Sequence, residues 1–192
     1  MASELVVFDI ETGGLDHSTE KILSISASYK DRKFHSLVNP GKPIPKAASR
    51  INGIYDNDVE HSPGWGVVGP NFFKWVKEQA GPTPTLCSYN GARFDLPFII
   101  KHNETLPTGA LPEFEKVYHV DAFEIAQKHV AKHECGNHRQ ASIYAWLFGE
   151  APEGQHTSVG DVEALEKIVH TEFFEPHIAP HTRELYSISK FK

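Results

Sequence analysis

Hydrophobic and polar positions recur along this chain with two different periods, and the change from one to the other separates strands from helices. Leu5, Val6, Val7 and Phe8 form a short apolar run of strand formers, continued to Ile10, which suits a strand buried on both faces. Residues 21–29 alternate, with Leu23, Ile25, Ala27 and Tyr29 on one face and Ile22, Ser24, Ser26 and Ser28 on the other. Residues 32–38 predict a partner strand, with Lys30-Asp31 as the tight hairpin between the two. The three strands form an antiparallel meander, which Asn39-Pro40-Gly41-Lys42-Pro43 ends. A short helix over 45–54 stops at Asn52-Gly53, and Asn57 opens a further turn near Pro63-Gly64. An amphipathic helix over 70–80 then turns Phe72, Phe73 and Val76 inward and stops at Gly81-Pro82.

Beyond that point strands and helices alternate. Strands at 85–88 and 117–120 lead into helices at 94–102 and 121–130, and Pro97 falls where a first helical turn tolerates it. Helices at 140–148, closed by Gly149, and at 157–170 complete the pattern. A hairpin-linked β group followed by alternating elements predicts an α/β fold, a mixed sheet flanked by helices. Residues 1–170 read as one domain; 171–192, with two prolines and no clear period, read as a short helix packed on it or a loose tail.

Composition narrows the setting. Hydrophobic content of 40% and charged content of 23% are those of a globular protein able to bury a full core over 192 residues. A net charge of −6 argues against broad clamping of duplex nucleic acid. It leaves room for gripping a nucleic-acid end, where bound divalent ions reverse the local charge. Cys87 and Cys135 do not make a disulfide framework, so an intracellular, reducing setting is expected. There is no apolar run of membrane-spanning length and no basic-then-apolar leader, so neither a signal peptide nor a membrane partner is expected.

Candidate chemistry begins in the first strand. Asp9 and Glu11, separated by Ile10, project from the same side of it. Two like charges side by side in a protein interior call for a cation, and a hard divalent metal suits oxygen donors. The alternative is two acids fraying into solvent at a strand end. Thr12-Gly13-Gly14 is a turn that lets backbone approach a ligand. Asp95 falls in the first turn of a helix just after Asn90-Gly91, either as a dipole-favoured acid or as a third member of the group with Asn90 orienting it. Asp161 lies about one turn into the last strong helix, and His156 precedes it as a helix-start residue or a candidate general base. The run His129-x3-His133-x-Cys135-x2-His138 has spacing compatible with a tetrahedral structural zinc, or with a polar surface linker.

Taken together, Asp9-x-Glu11, Asn90…Phe94-Asp95 and His156-x4-Asp161 resemble the three motifs of the DEDDh branch of the DnaQ-like 3′–5′ exonucleases, over roughly residues 4–170. Arg50-Ile51-Asn52-Gly53-Ile54 resembles a segment these enzymes carry between the first and second motifs. Tyr89-Asn90-Gly91, Asp95-Leu96-Pro97, Ser142-Ile143-Tyr144 and Gly160-Asp161-Val162 look most like the three-prime repair exonucleases. Gly13 departs from the family, which often has a second threonine there, and a proline-rich insertion and a long hydrophobic C-terminal extension are missing.

The resemblance implies an RNase H-like fold with a five-stranded mixed sheet, an antiparallel meander plus two parallel strands. It implies removal of nucleoside 5′-monophosphates from the 3′ end of single-stranded or frayed DNA by a mechanism using two Mg2+, with Mn2+ able to substitute. Asp9 would bridge both ions, Glu11 and Asp161 would complete one site, Asp95 would hold the other mainly through water, and His156 would act as the base. Leu15 would press on the terminal base while backbone at Thr12, Gly13 and Gly14 holds the 3′ hydroxyl; packing in the core is the other reading of Leu15. Arg93, Lys46 and Arg50 are candidate backbone contacts or solvated surface charge. A homodimer through a sheet edge is a further implied partner. The competing readings are an exoribonuclease of the same fold, a non-catalytic nucleic-acid-binding domain, and a proofreading module of a polymerase assembly.

Overall fold

The protein is described by a computed structural model over residues 4–186. Three strands come first, β1 (Val6–Thr12), β2 (Ile22–Tyr29) and β3 (Arg32–Leu37), followed by α1 (Lys46–Asn52), α2 (Asp56–Val59) and α3 (Trp65–Ala80). Then come β4 (Thr85–Ser88), α4 (Asp95–Asn103), β5 (Tyr118–Asp121), α5 (Ala122–His129), α6 (Lys132–Cys135), α7 (Gln140–Phe148), α8 (Ser158–Val169), α9 (Glu175–His181) and β6 (Arg183–Glu184). They build one mixed sheet in the order β3-β2-β1-β4-β5-β6. The meander β1-β2-β3 is antiparallel, β4 and β5 add parallel to β1, and β6 returns antiparallel on β5.

The sheet therefore has six strands rather than five. The extra one pairs Arg183 with His119 and Glu184 with Tyr118, two residues that no period could reveal. Within the segment read as helix or tail, α9 buries Ile178, and Phe174 just before it is buried too; residues 187–192 of that segment lie outside the described residues.

Two apolar layers sandwich the sheet. Val6, Phe8 and Ile10 pack with Phe72, Phe73 and Val76 of α3 and Phe98 of α4. Leu5 and Val7 pack on the other face with Ile125 of α5, Ile143 of α7 and Leu165 and Ile168 of α8. β2 is buried along its whole length because it lies between two strands and carries serines on the second face.

Helix α3 begins five residues before the expected start and runs through Pro70. Pro70 removes one amide from the helix, and the carbonyl it leaves, that of Gly66, is at an exposed position where water can satisfy it. The gain is burial of Trp65, whose indole nitrogen donates to Asn103 Oδ1 at 3.0 Å. Gly69 makes this possible, since a Cβ there would press into the Trp65 ring.

Candidate active site

Side chains alternate along β1, so Asp9 and Glu11 continue the row begun by Leu5 and Val7. The lower part of that row packs against apolar residues of α8; its last two positions meet the first turn of the same helix, which supplies Asp161. Carboxylate oxygens of Asp9, Glu11 and Asp161 all lie within 4.8 Å of one another. Among the described residues this is the one group of three or more His, Cys, Asp or Glu so placed.

Asp95 is the first residue of α4 and is buried. It stands outside that group of three, but its Oδ1 accepts the amide of Ile10, the residue between Asp9 and Glu11, at 3.1 Å. Gly91, four residues earlier, has no room for a side chain because a Cβ would collide with the Ser88 hydroxyl.

The crowding appears in the acidity of each carboxyl. Burial, then the charges of Asp95, Asp161 and Glu11, hold the Asp9 carboxyl well above the ordinary range. Burial together with Asp161 and Asp95 pushes Glu11 up to about 8. Asp95 is raised to about 7, mainly by burial and against the lowering effect of the Ile10 amide. Burial raises Asp161 too, opposed by His156. Carboxyls whose proton affinity is raised for want of a counter-charge fit a hard divalent cation, which would take the protons' place.

His156 is exposed, adopts a left-handed backbone with φ 63°, and donates its amide to Asp161 Oδ2 at 3.1 Å. Thr157 caps α8 by accepting from the Gly160 amide at 3.1 Å. Gly160 is obligatory in this turn because a Cβ would overlap the Gly154 carbonyl. Asp9, Asn90, His156 and Asp161 line one cleft of about 580 Å3, shared with Tyr89 and Arg139. Glu11 faces a neighbouring groove lined by His35, Asn52 and Val159.

Other expectations meet the structure unevenly. Asn90, also left-handed at φ 61°, offers its backbone amide to Asp121 and lines the same cleft as Asp9 and Asp161. The Gly13 amide is committed to the Lys21 carbonyl at 2.9 Å, so it stabilises the turn and is not a free donor for a 3′ hydroxyl. Thr12 donates its hydroxyl to the Gly14 carbonyl at 2.7 Å. Leu15 is 86% exposed, which removes the core-packing alternative. Arg93, Lys46 and Arg50 are exposed, and the cation lining the cleft is Arg139.

The zinc donors do not gather. Helix α5 ends at His129, and Val130 is extended, so His133 falls on a separate short helix instead of one turn further along the same one. The His129 ring stacks on His177 at 3.7 Å, and His138 Nε2 lies 2.9 Å from the Val130 carbonyl oxygen.

Asp121 is the residue that reading the sequence overlooked. Buried at the end of β5, it accepts amides from Asn90 at 2.7 Å, Ala92 at 3.0 Å and Phe123 at 3.0 Å. It thereby holds the turn that carries Asn90 into the cleft. Its place as the cap of α5 was a local signal for it; its grip on residues 90–92 was not.

This geometry is that of a nuclease of the DnaQ-like 3′–5′ exonuclease class. The exonuclease family model RNase_T matches residues 6–169, and the chain belongs to that family. It is 28% identical over 183 residues to DNA polymerase III subunit epsilon of Treponema pallidum (strain Nichols), covering 92% of this chain and 77% of that protein. Over 104 residues it is 35% identical to the PolC-type DNA polymerase III of Caldanaerobacter subterraneus, covering 52% of this chain and 7% of that polymerase. The fold is shared with E. coli exonuclease I, solved as an ssDNA complex, with a TM-score of 0.72 at 14% identity over 94% of this chain and 42% of exonuclease I. The chain thus spans a small part of the PolC-type relatives and less than half of exonuclease I. Among the described residues, no helix is long and apolar enough to cross a membrane.

Proposed function

We propose that this chain removes nucleoside 5′-monophosphates from the 3′ end of DNA, single-stranded or frayed, with two divalent cations, Mg2+ in the first place. The observation that carries the reading is the convergence of Asp9, Glu11 and Asp161 within 4.8 Å, with Asp95 hydrogen-bonded to the strand behind them. Asp9, Glu11 and Asp161 would hold one cation, and Asp9 and Asp95 the other. Such ions, when bound, polarise the phosphate and acidify water.

The chain's own residues do the rest. His156 stands on the cleft wall beside Asp9 and Asp161, and an imidazole nitrogen there takes the proton from attacking water. The hydrogen bond its backbone amide donates to the Asp161 carboxylate fixes the loop relative to the acids. Leu15, exposed after the β1 turn, sets the end of the track by pressing on the terminal base, with Thr12 and Gly14 shaping the turn beneath it. Arg139 offers a cation to the strand's phosphates. Bases stack on apolar side chains without being read.

The test is digestion of 5′-labelled DNA and RNA oligonucleotides of matched sequence with Mg2+ or Mn2+. A ladder shortening from the 3′ end of DNA is expected. No shortening of either polymer overturns the nuclease reading, and shortening of RNA alone moves the substrate to RNA. The likeness to a polymerase epsilon subunit along 92% of the chain favours a second reading, editing of primer ends beside a polymerase. Faster removal of mismatched than of matched 3′ termini would support it.

A further inference from the structure

A chain of polar groups, its three serines buried and its terminal histidine exposed, runs alongside the acid cluster without joining it. Ser158, the first residue of α8 and 2% exposed, has its hydroxyl 3.0 Å from that of Ser24 and 2.8 Å from that of Ser26. Ser26 continues to His35 Nδ1 at 2.9 Å on the next strand. Three hydroxyls and one ring nitrogen can be ordered in a single direction, Ser158 and Ser26 each donating once and accepting once and Ser24 making the terminal bond, whichever tautomer His35 adopts.

Its position is what matters. In the β1–β2 pairing Ser24 lies opposite Glu11 and Ser26 opposite Asp9, so both serines share the acids' face of the sheet. On α8, Ser158 and Asp161 are three residues apart and therefore on one side of the helix. The Ser158 hydroxyl thus ties the helix that carries Asp161 to the strand directly beside Asp9 and Glu11. Ser28, next in the same row but opposite Val7, has a buried hydroxyl without a hydrogen-bond partner among the described residues. The hydroxyls that are bonded are the two that stand opposite the acids.

We propose that Ser158, clamped by Ser24 and Ser26, is a positioning residue that sets the separation of Asp161 from Asp9 and Glu11, and through it the affinity for divalent cations. This rests on the nuclease reading above. It assigns a supporting role to a side chain outside the group of acids.

The experiment is calorimetric titration of the full chain with Mn2+, paired with the Mn2+ dependence of oligonucleotide cleavage, for the unaltered protein, Ser158→Ala and Ser24→Ala. Loss of a group that orients a ligand typically weakens metal binding by about 10- to 100-fold. Ser158→Ala should show a loss of that order, with half-maximal cleavage moved to higher Mn2+ by a similar factor and activity largely restored at saturation. Ser24→Ala, which keeps the Ser26 bond, should shift both in the same direction by less. A folded Ser158→Ala protein with Mn2+ affinity within about twofold of the unaltered chain overturns the inference, even if its melting temperature falls. Should that variant not fold, Ser24→Ala decides by the same criterion. If the unaltered chain binds no Mn2+ and cleaves nothing, the nuclease reading fails, and this inference with it.

Discussion

The carboxylate of Asp95 accepts the amide of Ile10 at 3.1 Å, although the two are 85 positions apart in the chain. Because Ile10 stands between Asp9 and Glu11, this bond ties the start of α4 to the strand that bears both acids. It also fixes a buried carboxyl behind them, so that Asp95 adds to the charge that Asp9 and Glu11 must tolerate.

Stability without metal should therefore fall as pH rises. Glu11 is raised to about 8 and Asp95 to about 7, with Asp9 and Asp161 raised as well. An acid with a folded pKa above its unfolded value, about 4, holds its proton more tightly when folded. Its contribution is neutral below about pH 4 and grows more destabilising up to the folded pKa, by at most roughly 1.4 kcal/mol per pH unit per group. Melting in chelator should lose stability between about pH 4.5 and 8, and Mg2+ should flatten the slope. An unchanged slope in Glu11→Gln would contradict the electrostatic account.

Asp9→Ala and Asp161→Ala should abolish detectable cleavage while the chain still unfolds cooperatively. In chelator Asp9→Ala should melt higher than the unaltered protein, because one member of the repelling group is gone. Near-normal turnover by purified Asp9→Ala protein would end the assignment.

Substituting His156 by Ala should lower turnover by roughly 10²- to 10⁴-fold, the span expected for losing a general base. Mn2+ affinity should hold, because the bond from residue 156 to Asp161 is made by its backbone amide. Loss of metal binding in parallel with activity would assign His156 to the ion site instead.

Leu15→Ala should weaken binding of a free 3′ end more than binding of an internal single-stranded stretch. The side chain is 86% exposed, so global stability should change little. Equal loss for both substrates, read by competition between 3′-blocked and free oligonucleotides, would remove the wedge.

Asp121→Ala should be the most damaging change outside the acid cluster. It leaves the amides of Asn90, Ala92 and Phe123 without an acceptor, each at a cost of about 1–3 kcal/mol if no water replaces it. Chemical denaturation should show a drop of roughly 3 kcal/mol or more. Proteolysis should locate the loosening at residues 89–93.

Local pattern was enough to determine the kind of most of the longer elements and the face their residues take. The alternation in β2, the period of α8, and the placing of Asp9 and Glu11 on one side of β1 follow from periods of 2 and 3.6, and the ends of α1 and α7 from the turn residues Asn52-Gly53 and Gly149. Asp9, Glu11, Asp95, Asp161 and His156 were singled out by resemblance to three family motifs, whose residue types and order are written in the chain. Distance between elements is not written there. That Asp161 comes within 4.8 Å of Asp9 and Glu11, that Asp95 bonds to Ile10, and that Asp121 holds the Asn90 turn depend on how helices seat on the sheet. Packing likewise carried α3 back to Trp65 through Pro70, added β6 to the sheet edge, and turned His129 onto His177 instead of towards His133. Burial of large side chains decides such placements, and it sums contacts from the whole fold that no short window of residues contains.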